Sequence, residues 1–372
     1  MRIAVVNRYH PSDVLGGSEV QCRLLMGQWR ALGHEVEYMA LDGCGQTGPA
    51  SDGFGPFRRL SPRLGIPSFG AFRKRLMEFR PDVVYLRSFG QLWMLGRICR
   101  EVGVPSVYNT CNITDLQCLI PGELAAVPWE WPARLRGAAL RWLNHGELFR
   151  MPVVTLNRDH ATWINTLGGR AKPIYNSMVD VHEGGLPPKE RLIAWVANIK
   201  ERKRPEEFLE LVRHLSGRGW RFVMVGSLQN RKDEYWKMIR DTEASCPDFS
   251  WLGSLKVEEV DALLARASIL VNTCRPEGFG NNFIQAWLAA CPTVSLEFDA
   301  DGIMQNEGLG FCPGSSAGMT MAVERLMEDE TLRTTMGKSA RRWAKAHHDP
   351  ETNAREYLRV FEWVKLSQWE KP

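Results

Sequence analysis

No stretch of this 372-residue chain approaches the ~18 uninterrupted apolar residues that a membrane-spanning helix needs. That excludes an integral α-helical membrane protein. The nine cysteines (Cys22, Cys44, Cys99, Cys111, Cys118, Cys246, Cys274, Cys291 and Cys312) contain no C-x-x-C pair. Neither a disulfide framework nor a zinc site is written into them, and free, mostly buried thiols are expected. The eight histidines show no H-E-x-x-H or comparable ligand spacing, and His347-His348 reads as a solvated helix end. A net charge of +4 is too small to suggest a nucleic-acid partner. Gly/Ser linkers and low-complexity runs are missing, and 33 Gly and 21 Pro are dispersed, which excludes collagen-like, repeat and disordered classes. The first residues, Met1-Arg2-Ile3-Ala4-Val5-Val6-Asn7, have an apolar core too short for a secretory signal and of the right length for a buried strand. They are expected to open the fold, in the cytoplasm.

What is present is the composition of a globular protein, 44% hydrophobic and 24% charged, long enough for about two domains. Short apolar runs alternate with amphipathic stretches of helical period, the signature of βαβ units and parallel sheets. In the first half the expected strands are Ile3–Val6, Val36–Ala40, Val83–Leu86, Ser106–Tyr108, Val153–Leu156 and Ile174–Tyr175. In the second half they are Leu192–Val196, Phe222–Val225, Ser250–Leu252, Ile269–Asn272 and Thr293–Leu296. Each half therefore reads as a doubly wound domain, with the break near Asn176–Pro188, where Gly184-Gly185-Leu186-Pro187-Pro188 interrupts both patterns. The domains span 1–180 and 181–351. Open parallel sheets bind ligands beyond the carboxyl ends of their strands, so the loops after Val6, Val196, Val225 and Asn272 are the places to seek function, and two such domains facing each other make one cleft.

Three segments carry chemistry. Gly16-Gly17-Ser18-Glu19 follows the first strand and opens a helix with Leu24, Leu25 and Leu32 on one face and Gly33 at its end. Ser18 with Gln21 reads as a capping box, and the paired glycines let backbone N–H groups approach a phosphate at the helix N-terminus. Next, Asn198-Ile199-Lys200-Glu201-Arg202-Lys203-Arg204-Pro205 places four cations at a strand's carboxyl end, with Pro205 at a first helical position and Phe208, Val212 and Leu215 on the buried face. It reads as a solvated charge run or as the place where Lys203 neutralises a diphosphate. The third, Arg275-Pro276-Glu277-Gly278-Phe279-Gly280-Asn281-Asn282-Phe283-Ile284-Gln285-Ala286-Trp287, opens a helix whose apolar face is Phe283, Ile284, Trp287 and Leu288. Gly278 and Gly280 let backbone amides meet an anion, while Glu277 and Gln285 lie off the apolar stripe and are expected to face the ligand. Asp299-Ala300-Asp301 has the form of a D-x-D metal site but lacks that site's sequence context.

These pieces, in this order, resemble the family 4 retaining glycosyltransferases of the GT-B fold over most of the chain. Gly16-Gly17-Ser18-Glu19 is similar to the family's G-G-x-E loop, and Leu32-Gly33-His34-Glu35-Val36 to its R-G-H-x-V. Arg80-Pro81-Asp82-Val83-Val84 resembles K-P-D-V-V, and Asn176-Ser177-Met178-Val179-Asp180 resembles N-G-V-D at the domain junction. Val225-Gly226, Leu252-Gly253 and Glu277-Gly278-Phe279-Gly280 follow in turn. The stretch from Ala340 to Trp363 resembles closing helices, with about 352–372 returning to the first domain.

The resemblance implies two Rossmann-like domains and transfer of a sugar from a nucleoside diphosphate sugar to a glycan or lipid-linked acceptor in cell-envelope or polysaccharide biosynthesis. It implies retention at the anomeric carbon, with no metal or cofactor. Lys203 and Glu277 would be the catalytic pair. Gly16, Gly17, Asn198, Gly278, Phe279, Gly280, Asn281 and Gln285 would hold the donor, and Arg87, Cys111 and Asn112 are the acceptor-side candidates. The family usually has Arg where Asn198 stands, Glu where Gln285 stands and His near Cys111. Those departures motivate a second reading, a non-catalytic scaffold. A nucleotide-sugar epimerase would need carboxylates for proton work, and no convincing pair is visible. Residues 51 to 100 hold ten Arg or Lys against three acids. Within 57–80 these cations interleave with Phe57, Leu60, Leu64, Phe69, Phe72, Leu76 and Phe79, a mixture suited either to an anionic membrane surface, helped by the basic, Trp-rich stretch Trp129 to Trp142, or to an ordinary loop and helix over a core.

Overall fold

A strand covered on both faces of a parallel sheet must be apolar at successive positions, because odd and even residues serve different layers. Arg2–Asn7 (β1) meets this demand: Ile3 and Val5 enter one buried cluster, Ala4 and Val6 the other. The computed structural model of the chain describes residues 1–9, 16–41, 48–51, 56–60, 68–110, 142–228, 234–275 and 278–367. The chain divides into two units, Met1–Ser177 with Pro350–Pro372, and Met178–Asp349. The expected break was set at 180/181.

In the first unit β1 is joined by Glu35–Ala40 (β2), Gly48–Ser51 (β3), Pro56–Arg59 (β4), Val83–Leu86 (β5), Ser106–Asn109 (β6), Val153–Thr155 (β7) and Ala171–Pro173 (β8). The sheet order is β3-β4-β2-β1-β5-β6-β7-β8. Ile3 stands opposite Val36 on one side and Val83 on the other, and every pairing is parallel except β3 with β4. Four helices are described around it, Gly17–Ala31 (α1), Phe69–Phe79 (α2), Leu92–Val102 (α3) and Arg158–Thr166 (α4), beside a helical segment over 142–148. The chain's final helix, Pro350–Leu366, also belongs here, and its Ala354, Tyr357, Phe361 and Val364 join the cluster under α1.

Trp29 is the hub of that layer. Its ring meets Tyr85 of β5 at 5.5 Å, Phe361 at 5.3 Å and Tyr357 at 5.9 Å between centroids, all edge to face, and its Nε1 donates to the Ala354 carbonyl at 3.1 Å. The buried stripe of α1 is Cys22, Leu25, Met26 and Trp29; Leu24 and Leu32 are only half-buried. The expected capping box does not form. Gly16 caps α1 in an extended conformation without a side-chain bond, Ser18 Oγ accepts from Asn7, and Gln21 is buried, pairing with both the N–H and the carbonyl of Ser177.

Two further expectations change. The edge strand β8 falls at Ala171–Pro173, where alternating partial exposure hides it from a hydrophobicity reading, and not at Ile174–Tyr175. The basic stretch 57–80 is also divided: Phe57–Arg59 belong to β4, Leu60 is buried, and Phe72, Leu76 and Phe79 point from α2 into the core. Its aromatic members are therefore core residues wherever their side chains are described.

The second unit repeats the plan with Leu192–Val196 (β9), Arg221–Val225 (β10), Phe249–Trp251 (β11), Ile269–Asn272 (β12), Thr293–Ser295 (β13) and Gly310–Phe311 (β14), ordered β11-β10-β9-β12-β13-β14 and parallel throughout. Its helices are Pro205–Leu215 (α5), Glu234–Ser245 (α6), Val257–Arg266 (α7), Asn281–Leu288 (α8), Ile303–Asn306 (α9), Ser316–Glu328 (α10) and Glu330–His347 (α11). Pro205 begins α5, where its missing N–H costs nothing, and Phe208, Val212 and Leu215 are buried as expected. His348 is not solvated: it is 1% exposed, packed against Phe279, Trp287 and Trp343. The described cysteines are free, five buried and Cys312 half-buried. Among the described residues no helix is long and apolar enough to cross a membrane.

Because Trp29 ties α1, β5 and the final helix together, Trp29→Ala should cost about 3–5 kcal/mol. Urea denaturation followed by circular dichroism checks this; a loss below about 1 kcal/mol would mean that the final helix is held by other contacts.

Candidate functional site

In the second unit the loops beyond β9, β10 and β12 are sewn to one another by main-chain contacts. The ladder runs past the strand ends, with the N–H of Ala197 donating to Val225 at 3.0 Å and that of Ile199 to Ser227 at 3.0 Å. Gly226, at φ 155°, lies so close that a Cβ there would sit 1.7 Å from the Ala197 carbonyl oxygen, so only glycine fits. From the other side Thr273 Oγ1 donates to the Lys203 carbonyl at 2.6 Å while accepting from Trp195 Nε1 at 2.9 Å, and the Arg275 N–H donates to the Arg202 carbonyl at 3.2 Å. The cation-rich segment is therefore a single short 3-10 turn, Glu201–Lys203, clamped onto the end of β12.

That clamp decides what Lys203 does. Lys200, Arg202 and Arg275 are exposed, whereas Lys203 is half-buried beside the thiol of Cys274. Burial holds its pKa below the ordinary lysine range; Cys274 opposes this, and the neighbouring cations Arg202 and Lys200 add to the lowering. An ammonium disfavoured by its surroundings gains most from an incoming anion. Arg204, the fourth cation, is occupied elsewhere, by Glu207 and by Glu297 at 2.6 Å.

The segment after β12 leads into α8. Gly278, Phe279 and Gly280 are buried, and Gly280 caps α8 without a side-chain bond; in the first turn the Phe283 N–H donates to the Gly280 carbonyl at 3.1 Å and to Asn282 Oδ1 at 3.0 Å. Phe279 is fixed edge-on to Trp287 at 6.0 Å and against His348 at 5.0 Å. Asn282 Nδ2 donates to the Val196 carbonyl at 3.0 Å, which seats the start of α8 on the end of β9. Gln285 is half-buried and one helical turn beyond Asn281 on the same face; its Nε2 donates to Asp261 Oδ1 of α7 at 2.8 Å. Asn198 is exposed and accepts from Ser227 Oγ at 2.9 Å.

In the first unit, Gly16 and Gly17 lie at the start of α1 beside a buried polar group at the ends of β1 and β5. Asn7 Nδ2 donates to Glu19 Oε1 at 3.0 Å, and Arg87, 4% exposed, donates to the Tyr85 hydroxyl at 3.0 Å. Burial raises the pKa of Glu19, against the lowering by its own helix-end backbone bond, by the Arg87 cation and by Asn7.

The structure thus brings Lys203, Gly278, Phe279, Gly280 and Asn281 to the carboxyl end of one sheet, places Asn198 beside them and Gln285 one turn along α8. Gly16, Gly17 and Arg87 gather at the corresponding end of the other sheet. Glu277, Cys111 and Asn112 lie outside the described residues. Asp299 uses both carboxylate oxygens to accept from the N–H groups of Met304 and Gln305, so it caps α9. Sequence reasoning missed Asp261, Cys274 and Thr273: each earns its place by a cross-element contact that no local pattern announces.

Residues 190–329 match the family described as glycosyl transferases group 1, and residues 16–176 match the glycosyl transferase 4-like domain. No curated protein sequence matches the chain. Among solved structures it is similar to sucrose-phosphate synthase from Thermosynechococcus elongatus, at 14% identity over 98% of both chains with a TM-score of 0.77. It is similar also to Anabaena HepE in complex with UDP-glucose, at 17% identity over 98% of this chain and 100% of that one, TM-score 0.72. WaaG, a glycosyltransferase involved in lipopolysaccharide biosynthesis, matches at 14% identity over 95% and 99%, TM-score 0.69. At such identities the likeness is one of fold.

The depressed pKa of Lys203 carries a sign that can be measured. Between its folded value and the ordinary lysine value the unfolded chain binds the extra proton, so stability rises with pH across that window. Lys203→Met keeps the buried alkyl stem and removes the charge. It should raise the melting temperature of the ligand-free protein near neutral pH, with the gain shrinking as pH rises toward the ordinary lysine value of about 10.4 and gone above it. A lower melting temperature for the variant would show that the cation stabilises the empty fold.

Proposed function

The chain belongs to the glycosyl transferases group 1, with the GT-B fold, and from this membership we propose that it moves a sugar from a nucleoside diphosphate sugar to a glycan or lipid-linked acceptor with retention at the anomeric carbon. The observation that carries the donor assignment is the clamped, half-buried Lys203 at the strand ends where α8 begins. A diphosphate there meets one desolvated cation, the N-terminal amides of α8 and a rim of exposed Lys200, Arg202 and Arg275. HepE, of the same fold, was crystallised with UDP-glucose, which makes a uridine nucleotide the first donor to try.

The reaction is a substitution at the anomeric carbon. The bond from that carbon to the departing phosphate breaks, a bond to the acceptor oxygen forms on the same face, and the acceptor's proton passes to the leaving phosphate oxygen. Lys203 and the α8 amides stabilise the charge that grows on that phosphate. Glu277 is assigned to a sugar hydroxyl, and Gly17 to the diphosphate. The rest is positioning. Protein side chains suffice for each step, so no metal is expected to be required.

The acceptor side is assigned to the first unit, with Arg87, Cys111 and Asn112 as candidates, and the pathway to cell-envelope or polysaccharide biosynthesis, the setting that WaaG's description names for that protein. Work in the cytoplasm at an anionic membrane surface then rests on charge. In α2, Arg75 is paired with Glu37 and Glu78, Arg73 with Glu101 and Lys74 with Glu78 at 3.9 Å, which leaves the exposed Met77, and Arg80 at the helix C-cap, as the outward members. Flotation with anionic liposomes at low salt tests this; no binding rejects it.

Incubation with a panel of nucleotide sugars tests the whole reading. Hydrolysis or transfer supports a transferase, an isomerised sugar an epimerase, and no binding a scaffold. Lys203→Ala should lower kcat/KM by about 10²-fold or more. Activity should survive EDTA, and the anomeric proton coupling of the product should match that of the donor; an inverted product would overturn the retaining assignment.

A further inference from the structure

The donor reading leaves one residue pair unexplained. Gln285 is an amide, and an amide can present either a donor or an acceptor to a ligand depending on which way it is turned. Here the choice is made by α7. Asp261 faces Gln285 as a carboxylate, which accepts only, and its Oδ1 takes the Nε2 hydrogen bond at 2.8 Å. The Gln285 Oε1 oxygen is thereby turned away from α7, with no partner among the described residues, on the same face of α8 as Asn281. The two helices cannot drift apart easily, because Lys189 Nζ donates to the last carbonyls of both, to Leu264 at 3.2 Å and to Ala289 at 2.6 Å.

We propose that Asp261 is a positioning residue for the donor: it fixes the amide of Gln285 so that Oε1 accepts a hydrogen bond from a ribose hydroxyl of the nucleotide. The inference rests on the donor reading above. One helical turn, about 5.4 Å, separates Gln285 from the amides at the start of α8. A ribose attached to a diphosphate seated at those amides extends along that face. Asp261 also supplies, one bond removed, the negative charge that position 285 itself lacks. Burial raises the pKa of Asp261, while the Gln285 bond and nearby His182 lower it and Glu258 raises it. The amide bond therefore favours the ionised form that does the orienting.

The substitution pattern follows from the chemistry. In Asp261→Asn two amides face each other and either orientation bonds, so the selection of Oε1 is lost. Gln285→Glu sets two carboxylates at hydrogen-bonding distance, and one must take up a proton or turn away. The double variant Asp261→Asn/Gln285→Glu exchanges the two groups and restores one donor facing one acceptor.

The experiment is calorimetric titration of the full-length protein with UDP, GDP and ADP, followed by the tightest of these against its 2′-deoxy and 3′-deoxy forms. Asp261→Asn should weaken the ribonucleotide by about 5- to 10-fold, the scale of one lost hydrogen bond, and leave at least one deoxy form unchanged. Gln285→Ala should give the same loss of discrimination, and the double variant should recover to within about 2-fold of the parent while Gln285→Glu alone does not. With a turned-over donor, Asp261→Asn should raise KM and leave kcat nearly unchanged. Equal weakening of ribo and deoxy forms, or an Asp261→Asn variant that binds like the parent, overturns the proposal while leaving the donor site standing. Failure of the parent protein to bind any of the three nucleotides overturns the donor reading itself, and the proposal with it.

Discussion

One hydroxyl group holds the second unit's ligand face together. Thr273 Oγ1 accepts from the buried indole of Trp195 on β9 and donates to the Lys203 carbonyl, so a single short side chain at the end of β12 fixes both the strand that precedes the cationic turn and the turn itself. Both of its bonds are buried or nearly so, where an unmade bond would cost more than the net gain of a made one. The geometry of Lys203 follows from this arrangement. Without the clamp, four cations in five residues would spread into water and repel one another; with it, Lys203 is drawn in against Cys274, Arg204 pairs with Glu207 and Glu297, and Lys200 and Arg202 stay at the rim.

The first unit solves a different electrostatic problem at the corresponding place. Glu19 stands in the first turn of α1, where the helix dipole favours an anion, and is buried with Asn7 beside the Arg87 cation. Its desolvation outweighs those favourable terms, so the carboxylate is less acidic than usual. A phosphate approaching Gly17 would compete with this acid for the same helix end. The two sheets therefore offer anions unequal welcomes: the second presents a desolvated cation, the first a cation already engaged with an acid.

How much of this could be read in advance divides along physical lines. Strands that are apolar on both faces declared themselves, and Val83–Leu86, Leu192–Val196 and Ile269–Asn272 stand where expected because double burial demands consecutive apolar residues, with Asn272 admitted at a strand end by its bond to Ser295. Short edge strands did not, since Ala171–Pro173 and Gly310–Phe311 carry one buried residue between them and no alternation to detect. The basic aromatic stretch left two readings open for a related reason: Phe72, Leu76 and Phe79 recur at i, i+4 and i+7, the spacing of a core face as much as of a membrane face. At the site, backbone motifs such as Gly278-Phe279-Gly280 were legible because glycine marks close approach. The pairing of Gln285 with Asp261 was not, since 24 residues and a strand separate them, and the clamp through Thr273 was hidden in the same way.

The absence of a cation at position 198 illustrates why burial matters more than count. Asn198 is exposed and its side chain is occupied with Ser227, so a charge there would sit in water, screened and worth little. Exposed Lys200, Arg202 and Arg275 already supply a field of that kind at the same strand ends. Lys203 is not replaceable in this sense. Its ammonium has given up part of its hydration, and an anion that restores the lost stabilisation does so in a medium where the interaction is strong. The rim charges at these strand ends can therefore vary at small electrostatic cost, whereas Lys203, and the threonine that holds its turn in place, are less replaceable.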